Sequence, residues 1–251
     1  MNKYKKIVSI AATAVMCVAP MSVYAQEAQT DVIEAVAEKK QDTESSSVPV
    51  LQKEGIEISE GTGYDLSKEP GAATVKALEQ GTIVISYKTT SENAIQSLLS
   101  VGNGTKGNQD RHFHLYITNA GGVGMELRNT DGEFKYTLDC PAAVRGSYKG
   151  ERVSNTVALK ADKENKQYKL FANGELIATL DQEAFKFISD ITGVDNVMLG
   201  GTMRQGTVAY PFGGSIERMQ VYRDVLSDDE LIAVTGKTIY AENIFYAGDA
   251  T

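Results

Sequence analysis

From about Gly55 to Tyr222 the chain is a succession of short apolar runs separated by turn signals, and this punctuation restricts it to an all-β architecture. Strands are expected at 54–58, 82–87, 95–101, 112–117, 123–129, 133–138, 154–161, 167–172, 175–180, 196–201 and 214–222. Asn173-Gly174, set between two such runs, is the strongest hairpin signal, because the favoured two-residue turn needs a positive φ at both central positions. Many short strands with almost no helix predict a sandwich of two antiparallel β-sheets, each burying an apolar face against the other. Two helical segments are expected. One is a turn or short helix near 71–79; the other follows Leu226, where Ser227 and Glu230 form a capping box, Leu231 to Val234 supply an apolar face, and Gly236 ends the helix.

The ends of the chain have a different texture. Residues 1–25 carry Lys3, Lys5 and Lys6, an apolar run from Ile7 to Val18, and Val-Tyr-Ala before Gln26. These are the parts of a secretory signal peptide, so cleavage is expected after Ala25 and the mature chain should be secreted or extracellular at the cell surface. The apolar run is too short to span a bilayer, and membrane insertion is not expected. Met16, standing where a small residue would be needed, argues against a lipid anchor at Cys17. Residues 26–50 hold six carboxylates, two lysines and no aromatic residue, so they should form a polar, disordered linker. The folded module is expected over 51–237. Residues 238–251 restart an apolar and aromatic pattern and stop, as the beginning of a following domain would.

Loss of the signal removes three lysines and no acid, which takes the net charge from −8 to −11. So acidic a surface is unsuited to nucleic acid or other polyanions, and any anion must be held by local geometry. Cys140 is then the one remaining cysteine and is expected to be a buried structural thiol outside any intrachain disulfide.

Chemistry concentrates in two places. In Val-Gly-Met-Glu-Leu-Arg-Asn-Thr-Asp-Gly-Glu-Phe-Lys-Tyr, residues 123–136, two strands flank a turn, and Glu126 and Arg128 share a face at i and i+2. Taken alone, such a pair is a solvated salt bridge contributing about 0–1 kcal/mol. On the preceding run His112, His114 and Tyr116 alternate with Phe113 and Leu115, which places them opposite the core. Two histidines so spaced can bind a metal, but no Cys, Asp or Glu with matching spacing is evident, and surface or groove-lining histidines are expected. A structural calcium has candidates in Asp110, Asp195 and Asn196 and stays unassigned; no other cofactor is expected.

The block Tyr-Pro-Phe-Gly-Gly-Ser-Ile-Glu-Arg-Met-Gln-Val-Tyr-Arg-Asp-Val-Leu-Ser-Asp-Asp-Glu-Leu, residues 210–231, resembles the closing strand of concanavalin-like and laminin-G-like jelly rolls. Gly-Met-Glu-Leu-Arg at 124–128 and Leu-Gly-Gly-Thr-Met-Arg at 199–204 extend the likeness over roughly residues 50–237. The chain resembles the family 40 carbohydrate-binding modules, lectin modules for sialic acid on the N-terminal side of bacterial sialidases, and its last residues resemble the lead-in to the sialidase part.

That resemblance implies a non-catalytic module for terminal sialic acid on host glycans or mucin, which targets an attached sialidase to its substrate. It is expected to act as a monomer. Arg128 and Arg204 would meet the sugar carboxylate, since a guanidinium matches its two oxygens bidentately. Each such charge-assisted bond is worth about 1.5–3 kcal/mol. Glu126 would hold Arg128 in one rotamer and accept from the acetamido NH or a ring hydroxyl. Ile95 and Tyr210 would form the apolar wall for the acetamido methyl, with Tyr116 supplying a hydroxyl at the rim. For Tyr210 a role as a core plug is the competing expectation.

Two other readings follow from the same residues. A laminin-G-like protein-adhesion module uses this fold to bind a protein face. A glycosidase would need two carboxylates across a cleft, for instance Glu126 with Asp131 or Glu133, but these lie at or past the hairpin turn. No Glu-X-Asp-X-X-Glu pattern is present, and with no Trp the chain lacks the Ser-X-Asp-X-Gly-X-Thr-Trp boxes of a sialidase propeller.

Overall fold

The computed structural model describes residues 47–91, 95–105, 110–129, 133–142, 148 and 150–236. The strands in chain order are β1 (Leu51–Ile58), β2 (Tyr64–Asp65), β3 (Gly81–Thr89), β4 (Gln96–Gly102), β5 (His112–Ile117), β6 (Val123–Asn129) and β7 (Phe134–Cys140). They continue with β8 (Gly150–Asp162), β9 (Gln167–Ala172), β10 (Glu175–Asp181), β11 (Asn196–Leu199), β12 (Thr202–Arg204), β13 (Thr207–Ala209) and β14 (Gly214–Tyr222). They form two six-stranded antiparallel sheets, ordered β1-β14-β3-β8-β9-β10 and β2-β11-β4-β5-β6-β7, plus a ribbon of β12 and β13. The expected sandwich is what the chain adopts.

The two-residue period of a strand builds the core. Ile83, Ile85 and Tyr87 of β3 and Val157 and Leu159 of β8 turn inward from one sheet; Phe113, Leu115 and Ile117 of β5 and Met125 and Leu127 of β6 turn inward from the other. All are fully buried. At Asn173-Gly174 both φ angles are positive, 49° and 87°, the geometry expected of a tight hairpin between β9 and β10.

The outer face of the first sheet has its own cover. Val84, Ala158 and Phe171 pack against Leu226, which lies just before α2, the helix over 228–236, and against Leu231 within it. Ser227 and Glu230 cap it reciprocally, as expected: the Ser227 amide donates to Glu230 Oε2 at 2.8 Å, and the Glu230 amide donates to Ser227 Oγ at 3.2 Å. Lys160 and Lys169 stand opposite each other on β8 and β9, a repulsive pairing that Asp228 in the first turn of α2 neutralises by accepting from both ammonium groups.

Several boundaries differ from the expectations. The first helix is a single turn, α1 (Ala72–Lys76), preceded by Gly71 at φ 90°, where a side chain would run into the Val50 carbonyl. The run expected over 196–201 breaks at Gly200, whose left-handed φ of 71° ends β11 and sends the chain into the β12–β13 ribbon. Alternation cannot reveal such a break, because the residues on both sides of the bend remain buried. The strand expected from residue 95 begins at Gln96, leaving Ile95 just outside it. Cys140 is buried, as expected. The signal peptide, Cys17, most of the polar linker, Asp131 and residues 238–251 lie outside the described residues.

Phe113 is fully buried and meets Phe187 edge to face at 5.7 Å between centroids. Phe113→Ala should lower the free energy of unfolding by about 3–5 kcal/mol, measured by urea denaturation at neutral pH.

Candidate functional site

The site is built on the outer face of the second sheet, where β5 and β6 lie side by side. Their register sets His112 against Arg128, His114 against Glu126 and Tyr116 against Gly124, so these six residues share one face. Gly124 is required by what crosses it. A Cβ there would collide with the Asp139 carboxylate and come within 2.7 Å of the Tyr116 ring. Without one, Tyr116 reaches across β6 and donates its hydroxyl to Asp139 Oδ1 at 2.6 Å.

The β12–β13 ribbon closes over this face. Thr202 at its base bonds Ser97 Oγ at 3.0 Å and His114 Nδ1 at 3.3 Å, and Ser100 Oγ donates to the Gly201 carbonyl at 2.8 Å. The ribbon turns at Gln205-Gly206, with φ of 52° and 79°, and returns toward Tyr210, whose carbonyl accepts from the Ser97 amide at 2.9 Å. Tyr210 itself has a φ of 53°, an uncommon conformation for an aromatic residue. Its ring faces His114 at 5.2 Å, and Tyr116 faces the same imidazole at 4.4 Å.

The histidines expected at the surface or lining a groove are therefore buried, 1% exposed at His112 and 3% at His114. Each fixes a neighbour. His112 Nε2 lies 3.2 Å from Glu126 Oε1, and His114 fills the space between Tyr116 and Tyr210.

The charged groups then converge. Arg128 Nη1 lies 3.5 Å from Glu126 Oε1 and Lys135 Nζ lies 3.3 Å from Oε2, so the expected Glu126–Arg128 pairing is present and extended by a lysine from β7. Arg204 Nη1 donates to the Tyr210 hydroxyl at 2.8 Å, with its guanidinium carbon 5.5 Å from the ring centroid. Arg128 and Arg204 both reach Asp110: Arg128 Nη2 donates to Oδ2 at 2.8 Å, and Arg204 Nη2 donates to Oδ1. Two guanidiniums from distant parts of the chain thus grip the two oxygens of one carboxylate.

The protonation states follow from this packing. Burial pushes the Glu126 carboxyl up, but the His112 bond, the two imidazoles and Arg128 outweigh it and hold it at about 2, so it is an anion at neutral pH. Burial, reinforced by His112, drives His114 well below the ordinary imidazole value. Burial and the bond to Asp139 push the Tyr116 hydroxyl upward, so it remains a donor.

Of the six residues expected at the site, Tyr116, Glu126, Arg128, Arg204 and Tyr210 come together. Ile95 is half-buried and lies two residues before Ser97, the partner of Tyr116 in the sheet. Tyr210 is partly exposed and no core plug. The structure adds Asp110, Lys135, Asp139 and Thr202 to the site. Asp139 and Lys135 follow from the β6–β7 register, whereas nothing local in the sequence announces Asp110 or Thr202.

The register also brings an acid to the histidines that spacing along the strand did not provide. Ligand atoms of His112, His114 and Glu126 lie within 4.8 Å of one another. A divalent cation there would compete with Arg128 and Lys135, which already share the same carboxylate. Of the calcium candidates, Asp110 accepts from the arginines, while Asp195 accepts from the Gly104 amide at 2.9 Å and the Thr105 hydroxyl at 3.0 Å. Asn196 donates to the Gly102 carbonyl and to Asp195. Glu133, a proposed partner for Glu126 in hydrolysis, is exposed and accepts from Asn129.

Neutral His114 sets a pH dependence of stability. Its folded pKa lies below the ordinary 6.5, so below that pH the unfolded chain binds a proton the folded one refuses. Stability should be level above pH 6.5 and fall beneath it, by up to about 1.4 kcal/mol per pH unit for this one group. Glu126, depressed from 4.5 to about 2, adds a further loss only between those values. Urea denaturation of the chain and of His114→Asn should show a shallower slope between pH 6.5 and 5 in the variant.

Residues 26–238 match the family described as the sialidase N-terminal domain. A solved structure of the Ruminococcus gnavus IT-sialidase CBM40 bound to α2,3-sialyllactose is 96% identical with a TM-score of 0.71, covering 75% of this chain and 100% of that one. A second, bound to α2,6-sialyllactose, is 99% identical with a TM-score of 0.72 over the same shares. The curated anhydrosialidase of the leech Macrobdella decora is 64% identical over 236 residues, 92% of this chain. The chain spans 31% of that relative's length. Among the described residues no helix is long and apolar enough to cross a membrane. The chain belongs to the sialidase N-terminal domain family.

Proposed function

We propose that the chain is a non-catalytic, lectin-type module that binds the terminal sialic acid of glycans through the face formed by β5, β6 and the β12–β13 ribbon. The observation that carries this reading is the pair of guanidiniums, Arg128 and Arg204, converging on a single carboxylate beside an ionised Glu126 and two tyrosines. A terminal sialic acid offers that carboxylate, an acetamido NH for Glu126 and a methyl for the apolar wall of Tyr210 and Ile95. The relatives solved with α2,3- and α2,6-sialyllactose support the same ligand here. Both linkages fit a site that grips the terminal sugar alone.

The chain is exported by residues 1–25, and residues 26–50 form its linker. Residues 51–237 act as the binding module, and 238–251 lead into a sialidase domain that the module holds near sialylated glycans such as those of mucin. Binding of modest strength is enough for that task, because tethering acts through effective concentration. Hydrolysis belongs to the attached domain. Among the described residues the carboxylates near the site are tied to histidine, tyrosine, lysine and arginine partners, which favours a binding role over that of a free acid and nucleophile.

Isothermal titration with sialyllactose tests the reading, with lactose alongside. Saturable heat is expected with sialyllactose and none with lactose. Arg204→Ala and Arg128→Ala should each weaken binding by roughly 10- to 150-fold, the loss of one charge-assisted contact, while the melting temperature stays near that of the parent. Undiminished binding in both variants would sink the site assignment; absence of heat with the parent chain at millimolar sugar would favour a protein-binding sandwich.

A further inference from the structure

Asp110 lies two residues before β5, and its carboxylate is where the two site arginines meet. The remaining terminal nitrogens are engaged too, Arg204 Nη1 with the Tyr210 hydroxyl at 2.8 Å and Arg128 Nη1 near Glu126 at 3.5 Å. An incoming carboxylate therefore finds the convergent donors already occupied by a group of its own kind. We propose that Asp110 is an internal competitor: in the free protein it takes the place of the ligand carboxylate, and it is displaced when an anionic sugar binds. This rests on the reading of the site as one for a carboxylate-bearing sugar, and it deepens that reading by assigning a residue that sets affinity and selectivity.

Three physical arguments carry it. The first is charge. Two guanidiniums drawn together, each about a quarter exposed, repel one another unless an anion lies between them, and Asp110 supplies that anion without a ligand. Replacing one carboxylate by another leaves the local charge unchanged, so the arginines need not be uncovered at any point.

The second is selectivity. A neutral sugar would have to exchange two guanidinium–carboxylate ion pairs for bonds to uncharged oxygens, whereas an anionic sugar exchanges them for equivalents. The occupant thus excludes neutral glycans more strongly than open arginines would. The third is access. The Asp110 side chain is 18% exposed, more than the 13% of Glu126, so its carboxylate has solvent on one side into which it can move. Glu126 is held from behind by His112, while Asp110 has only the ligand-binding arginines as its side-chain ion-pair partners among the described residues.

The inference is tested on the chain with Asp110→Asn and Asp110→Ala, titrated with sialyllactose at about 50 and 300 mM NaCl. Both variants should bind at least threefold more tightly than the parent at the lower salt. Their affinity should also fall more steeply with salt, because the ligand now neutralises charge where it had merely replaced one carboxylate by another. Acetate, followed through the arginine side-chain NMR signals, should likewise bind more tightly to the variants. Thermal melting of each variant reports whether the fold is kept, and the Asn variant keeps the shape of the side chain. Equal or weaker sialyllactose binding in both folded variants overturns the inference and makes Asp110 a supporting clamp. A parent chain that binds acetate more weakly than the variants but ignores sialyllactose would overturn the sugar reading and leave the competitor in place.

Discussion

The constraint on which the rest of this structure depends is that β5 is buried on both faces. Toward the core it presents Phe113, Leu115 and Ile117; on the other face it presents His112, His114 and Tyr116, none more than 5% exposed. A polar group withdrawn from water costs several kcal/mol unless it finds a partner. Each of these three finds one, Glu126, Thr202 and Asp139 respectively, while among the described residues the Nδ1 of His112 is left without a hydrogen bond. These bonds do more than satisfy the strand. They set the direction of the Glu126 carboxylate and of the Tyr116 ring, so the part of the site that faces solvent rests on a layer with little freedom to move.

The two sheets solve the same problem differently, and that difference sets the proposed binding face apart. The outer face of the first sheet is apolar at Val84, Ala158 and Phe171 and is closed by the apolar side of α2. The outer face of the second is polar and closed by a ribbon that brings hydroxyls, an arginine and a tyrosine. Charged groups stand at the margin of both covers, but those of the first are two lysines closed on Asp228 of α2, whereas those of the second are two arginines converging on Asp110. Between the sheets lies a dry core of aliphatic and aromatic side chains, so a displacement at the margin meets a rigid support.

Charge is balanced locally despite the strongly acidic chain. Arg128, Arg204 and Lys135 stand against Glu126, Asp110 and the neighbouring Asp139, and the partly buried setting makes the arginine pairings stronger than they would be in water. The net charge of −8 therefore says little about this spot, although it does bear on polyanions at the surface as a whole.

What the sequence by itself determined is everything that depends on neighbours along the chain. The alternation from Gly55 to Tyr222 established strands and their inward faces; Asn173-Gly174 and the Ser227–Glu230 box established a hairpin and a helix start. The likeness to family 40 modules added the site residues, which alternation alone could not have selected from among other exposed charges. Only the tertiary structure decided the register, and with it that Glu126 stands beside His114 and next to His112, that both histidines are covered by a ribbon some ninety residues downstream, and that Asp110 lies between Arg128 and Arg204. The physical reason is that a strand's period reports which face a residue takes, while the identity of what covers that face depends on pairings between segments far apart in sequence, for which no local pattern exists.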